Sequence, residues 1–232
     1  MLRSIIRNLK TRLLSGVARK EDLDRLYDQV TGMVQVHAAL SGGIVLKPLR
    51  NWAISPDAMS WFLVELQGRA EPSVVEFGSG QSTIITAAFL EKHGGGRLLS
   101  VEHDKDYAAV IRHQLECCGL DHRVTIVIAP LVDQEPVGLI PQCKSYDLRL
   151  LPDQSIDVGL IDGPPMAFGE TTRYFPLQWA ASHLSSKGAI YLDDAARPGE
   201  QRAVAAILER FSGLRVEKLK AEKGLSKIYS IE

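Results

Sequence analysis

Five carboxylates stand at or near the ends of short apolar runs: Glu76 in SVVEFG, Glu102 in RLLSVEHD, Asp162 in IDVGLIDG, and Asp193 and Asp194 in GAIYLDD. Between the first two lies a glycine turn, Gly78-Ser79-Gly80, with Ser82 and Thr83 opening the next helical segment. Glycines there let the backbone approach a ligand closely, and the first amides of the helix offer unpaired donors. A dinucleotide fingerprint needs a third glycine at position 83, where this chain has Thr83. Glu76 sits two residues before Gly78, a carboxylate beside the pocket that repels pyrophosphate and suits a ligand carrying an ammonium group. Glu102 follows the turn by about 20 residues, the spacing at which an acid accepts hydrogen bonds from both ribose hydroxyls. A nucleoside with a cationic amino group fits both acids. The competing reading makes them solvated strand ends.

Asp162, Asp193 and Asp194 converge on one edge of the same site. Like charges brought together cost free energy unless a cation or proton intervenes, and hard oxygen ligands suit Mg²⁺ or Mn²⁺. In the alternative without metal, Asp193 caps a helix or orders a loop and Asp162 contacts cofactor or substrate. Arg173, Tyr174 and Arg197 are expected above this edge, either holding an acidic or sugar-like acceptor or pairing with local acids. Trp52 is expected over the pocket and Trp61 in the core. His103 adjoins Glu102, while the histidines at 37, 93, 113, 122 and 183 form no ligand spacing.

The elements that position these residues follow from periodicity. Near-continuous apolar runs at 73–78, 97–104, 123–131, 156–163 and 188–194 alternate with helical segments, the pattern of strands buried on both faces and joined by parallel crossovers. The expected architecture is α/β, a doubly wound and mostly parallel sheet that binds ligands at the carboxyl ends of its strands. The tail LRVEKLKAEKGLSKIYSIE supplies two further strands turning at Lys223-Gly224, and Ser55-Pro56 starts a helix running to Leu66. Residues 1–45 read as an N-terminal helical extension and 46–232 as the catalytic domain. Within the extension, residues 20–40 read as a second helix or a bent continuation of the first. Residues 1–20 form a basic amphipathic helix, suited to contact with an anionic membrane surface or to packing on its own domain or a second subunit of a homo-oligomer.

Composition narrows the partners. The 27 basic and 28 acidic residues cancel, which disfavours nucleic acid and favours a small or medium-sized acceptor. Three cysteines give no zinc spacing or disulfide framework, and no apolar run reaches membrane-spanning length, so the expected location is the cytoplasm.

Together, EFGSGQST, VEHD and IDGPP resemble the cofactor motifs of class I S-adenosylmethionine (SAM)-dependent methyltransferases, over about residues 50 to 232. WAISPDA, GSGQST, LIDGPP and LDDAARPGE further resemble a bacterial group of methyltransferase-domain proteins often linked to glycan gene sets. The resemblance implies that Glu76 and Glu102 bind SAM, that Gly78 to Gly80 line its methionine portion, and that Ala129 and Leu131 flank the adenine. Phe77, Ser79, Ser82, Thr83, His103 and Asp162 complete the implied cofactor set. The acidic edge is similar to that of catechol-type O-methyltransferases, in which an Asp and an Asp-Asn pair bind the metal. Here the pair is Asp193-Asp194, and the lysine base of those enzymes is missing, since Gly163, Pro164, Pro165 and Met166 follow Asp162. The implied activity is methylation of a glycan or small-molecule hydroxyl, with Asp162 as base or metal ligand and Asp193 and Asp194 in support. Its rivals are a non-catalytic SAM-fold scaffold and an NAD-dependent oxidoreductase.

Overall fold

A computed structural model describes residues 20–40, 43–49 and 51–231. The basic segment before Lys20 lies outside the described residues. In chain order the elements are α1 (Lys20–Ala39), α2 (Pro56–Gln67), β1 (Ser73–Phe77), α3 (Gln81–Lys92), β2 (Arg97–Glu102), α4 (Lys105–Cys117) and β3 (Val124–Ile128). There follow β4 (Leu131–Gln134), β5 (Cys143–Tyr146), β6 (Ile156–Ile161), α5 (Tyr174–Ser182), β7 (Leu184–Asp193), α6 (Pro198–Arg210), β8 (Leu214–Leu219) and β9 (Leu225–Ser230).

Seven strands form one sheet in the order β3-β2-β1-β6-β7-β9-β8. The first five are parallel, and β9 and β8 close the edge antiparallel, as the tail hairpin predicts. Strand order reverses between β1 and β6, so the binding crevice of a doubly wound sheet opens there. The side chains of Val75, Phe77, Ile161, Ile190 and Leu192 pack on one face, and those of Val74, Leu98, Val158, Leu160 and Ala189 on the other. Burial on both faces explains why these segments lack a polar alternation.

α3 starts from the glycine turn and is buried along most of its length, because Thr86, Ala87 and Ala88 keep it slim between the sheet and the N-terminal helices. α1 is helical over Lys20–Ala39, and whether it continues an earlier helix lies outside the described residues. It crosses α2 so closely that a Cβ at Gly32 would lie 2.6 Å from Asp57 N, and Val36, with Leu40 just beyond its end, is buried in the core.

Two expectations need correction. The run at 123–131 is not one strand: Pro130 lacks an N–H and restrains Ala129, so β3 ends at Ile128. From Leu131 the chain enters a separate hairpin in which β4 pairs antiparallel with β5. Trp61 is 42% exposed rather than packed in the core, with its indole N–H donating to Lys220 O at 3.2 Å. Ser55 precedes α2 as expected but makes no side-chain cap.

Candidate active site

A cavity of about 690 Å³ opens at the β1/β6 crevice. One wall is the glycine turn. Gly78 takes φ +100° and donates to Val101 O at 2.9 Å, while Asp162 N donates to Phe77 O at 3.0 Å, so the β1 turn is bonded to both neighbouring strand ends. A Cβ on Gly78 would sit 3.1 Å from Gly163 N, which leaves glycine as the residue this close approach accepts.

Glu102 lines the same cavity beside the turn and is held by backbone donors. Its Oε2 accepts from Ser79 N (3.1 Å), and its Oε1 accepts from His103 N (2.8 Å) and Asp104 N (2.9 Å). His103 Nδ1 lies 2.7 Å from the same Oε1, a contact that raises the imidazole's proton affinity. Asp104 in turn caps α4 through the N–H groups of Asp106 and Tyr107. The carboxylate is thereby held rigidly at a strand end, ready to accept from a diol.

Glu76 is placed differently from the expectation. It lies beneath the turn, outside the cavity lining, where Thr83 Oγ1 donates to its Oε2 at 2.5 Å and Ser100 Oγ at 2.9 Å. Thr83 Oγ1 also accepts from Gly80 N at 2.8 Å, so Glu76 acts on the turn through Thr83. Burial pushes its carboxyl up to about 7 despite these hydrogen bonds. Gly78, Ser79, Gly80, Ser82, Glu102, His103 and Asp162 line the cavity; Phe77, Thr83, Ala129 and Leu131 do not. Ala129 is fully buried, its N–H donating to Glu102 O at 2.8 Å, and Leu131 opens β4.

The acidic edge assembles as expected. One oxygen from each of Asp162, Asp193 and Asp194 lies within 4.8 Å of the others. Asp162 and Asp194 line the cavity, whereas Asp193 is fully buried, and neither of its oxygens has a hydrogen-bond partner. Burial, reinforced by Asp193, holds the Asp162 carboxyl well above its usual range. Burial and Asp194 push Asp193 up to about 6.

Arg173 is the cation of this cluster. Its guanidinium is buried, 3.2 Å from Asp162 Oδ1 and 3.1 Å from Asp194 Oδ2, and it donates to the carbonyls of Asp162 (2.7 Å) and Asp193 (3.1 Å). Arg197 Nη1 lies 2.8 Å from Asp194 Oδ2, and Lys223 Nζ stands 3.9 Å from Asp193 Oδ2. Arg173 thus pairs with the carboxylates and, like Arg197, also lines the cavity, whereas Tyr174 is buried away from the lining.

Residues not anticipated from the sequence also line the cavity: Asn51, Gln81, Tyr107, Tyr146 and Lys223. Tyr107 carries a readable signal, lying three residues after a helix cap at a strand end. Tyr146 carries none, because β5 is short and its run CKSY lacks an apolar pattern. Trp52 lines the mouth, 82% exposed.

A family model described as "Methyltransferase domain" matches residues 75–195, just over half of the chain and every strand end that meets the cavity from β1 to β7. The chain belongs to this methyltransferase family. It is similar to the catechol O-methyltransferase of Bos taurus, 34% identical over 107 residues, which is 44% of this chain and 37% of that enzyme. The Mus musculus enzyme of the same name is 35% identical over 107 residues, 44% of this chain and 38% of its own length. The methyltransferase chain therefore matches well under half the length of these curated relatives. Its fold is similar to that of the S-adenosylhomocysteine (SAH)-bound methyltransferase PaMTH1 of Podospora anserina, with TM-score 0.63, 16% identity, and coverage of 92% of this chain and 97% of that one.

Proposed function

We propose that this methyltransferase transfers the methyl group of SAM to a hydroxyl of a small-molecule or glycan acceptor. The observation that carries the proposal is that Glu102 at the end of β2, suited to a ribose, and Asp162 with Asp194 at the ends of β6 and β7 line one cavity on either side of β1. In this reading the glycine turn holds the methionine portion and Glu76 acts on it through Thr83. The similarity to catechol O-methyltransferases supports a hydroxyl as the acceptor group.

The sulfonium already activates the methyl carbon, so the protein's work is alignment and proton removal. Bound SAM would supply the methyl group to the acceptor oxygen and leave as SAH, and the Asp162 carboxylate would take the hydroxyl proton. Its raised proton affinity suits Asp162 to that role. Arg173 fixes the orientation of Asp162 through both its carboxylate and its carbonyl.

The acidic cluster fits a divalent ion. Its donors are hard oxygens, Asp193 has two buried oxygens without hydrogen-bond partners, and four carboxylates including Glu200 face three cations, Arg173, Arg197 and Lys223. Asp162, Asp193 and Asp194 would hold Mg²⁺ or Mn²⁺, which would lower the pKa of a coordinated hydroxyl, and in that arrangement Asp162 would serve as ligand in place of base.

Calorimetric titration with SAM, SAH and NAD tests the reading. SAM and SAH are expected to bind and NAD is not. Absence of binding by both SAM and SAH overturns it. Labelled SAM with a cell extract then identifies the methylated acceptor.

A further inference from the structure

Tyr146 is a polar side chain at the cavity for which the mechanism above has no use. Its ring packs against Phe77, centroids 5.7 Å apart, and edge-on to His103 at 6.2 Å. It is fully buried yet reaches the cavity lining, and its hydroxyl has no hydrogen-bond partner. A Cβ on Gly163 would collide with that hydroxyl, so the glycine after Asp162 makes room for it where the ends of β1, β2 and β6 meet.

The surrounding acids do not satisfy this group. Glu102 takes three backbone N–H donors, with His103 Nδ1 2.7 Å from its Oε1, and accepts nothing from Tyr146. Glu76 faces Thr83 and Ser100, and Asp162 faces Arg173. Burial among these carboxylates keeps the phenol protonated, since it holds the group well above its ordinary value, so Tyr146 is a donor and not a base. A buried donor without an acceptor is costly, and a bound ligand that offers one recovers that cost.

We infer that the Tyr146 hydroxyl donates a hydrogen bond to the nucleoside of the bound cofactor, at the wall between Glu102 and Gly163, making Tyr146 a cofactor-positioning residue. The inference rests on the SAM reading of the cavity. It adds the β4–β5 hairpin, which lies outside the main sheet, to the elements that hold the ligand.

The test is Tyr146→Phe, measured by calorimetry with SAH and with adenosine and by thermal melting without ligand. SAH and adenosine are both expected to bind about tenfold more weakly, equivalent to about 1.4 kcal/mol. The melting temperature of the free protein is expected to hold or rise, because the substitution deletes an unpartnered polar atom. Unchanged SAH affinity overturns the inference alone, as does a loss seen with SAH but not with adenosine. A lower melting temperature with unchanged affinity overturns it too, by assigning the hydroxyl to the fold. Failure of the wild-type chain to bind SAH overturns the SAM reading, and the inference with it.

Discussion

Arg173 Nη1 lies 3.1 Å from Asp194 Oδ2, inside a protein whose buried surface otherwise holds few cations. The same guanidinium donates to the carbonyls of Asp162 and Asp193, so one planar fork joins the loops leaving β6 and β7. Arg173→Met leaves buried carboxylates without their counter-ion and is expected to destabilise the fold by about 3–5 kcal/mol in denaturant unfolding. Arg173→Lys keeps the charge but cannot span both loops. It should retain SAH affinity while turnover falls by about tenfold or more, a split that steady-state kinetics with parallel calorimetry will read.

Glu102 holds four contacts at the end of β2 before any ligand arrives. Glu102→Gln turns an amide NH₂ toward donors that need an acceptor and weakens the pair of bonds available to a diol. SAH affinity is expected to fall by about 30-fold, or about 2 kcal/mol, as is usual for hydrogen bonds to a charged group. Adenosine should lose as much and 2′-deoxyadenosine much less.

The orphaned oxygens of Asp193 make a separate claim. Removing divalent ions with a chelator is expected to lower the methyl-transfer rate by about tenfold or more, with recovery on adding Mg²⁺. Asp193→Ala should abolish that recovery and leave SAH binding intact. A transfer rate that ignores the chelator removes the ion from the mechanism.

Glu76 gives the fold a pH dependence of definite sign. Its carboxyl is pushed up to about 7 by burial in the fold and returns to the ordinary 4.5 when unfolded, so the folded state binds the extra proton between those values. Its contribution to stability is fully present below pH 4.5 and is lost as pH rises through 7. Melting temperatures measured from pH 5 to 8 should decline across that window for the wild type and decline less for Glu76→Gln. Equal slopes in the two proteins would show that Glu76 ionises as freely in the fold as outside it.

The sheet was legible because strands such as SVVEF and IDVGLI are buried on both faces and carry no other period. The glycine turn, Glu102 and the three aspartates were legible because a doubly wound sheet brings its strand ends to one crevice whatever the loops do. Other features depend on contacts between distant segments. Nothing local distinguishes a buried Arg173 from a helix-start arginine, since its burial follows from acids 11 and 20 positions away. Trp61 resembles a core residue until Lys220 O, 159 positions on, draws its indole to the surface. The β4–β5 hairpin was hidden because Pro130 interrupts what reads as one apolar run.

Lys223, in the turn between β8 and β9, donates to the carbonyls of Asn51 (3.0 Å) and Ala53 (2.9 Å), closing a span of 172 positions across the cavity mouth. Contacts of such separation form late, because their loop entropy is recovered only once the intervening sheet exists. The complete cavity is then expected to form after the folding transition state. Saturating SAH should therefore slow unfolding and leave the refolding rate unchanged, so that ligand protects the protein kinetically without helping it to fold.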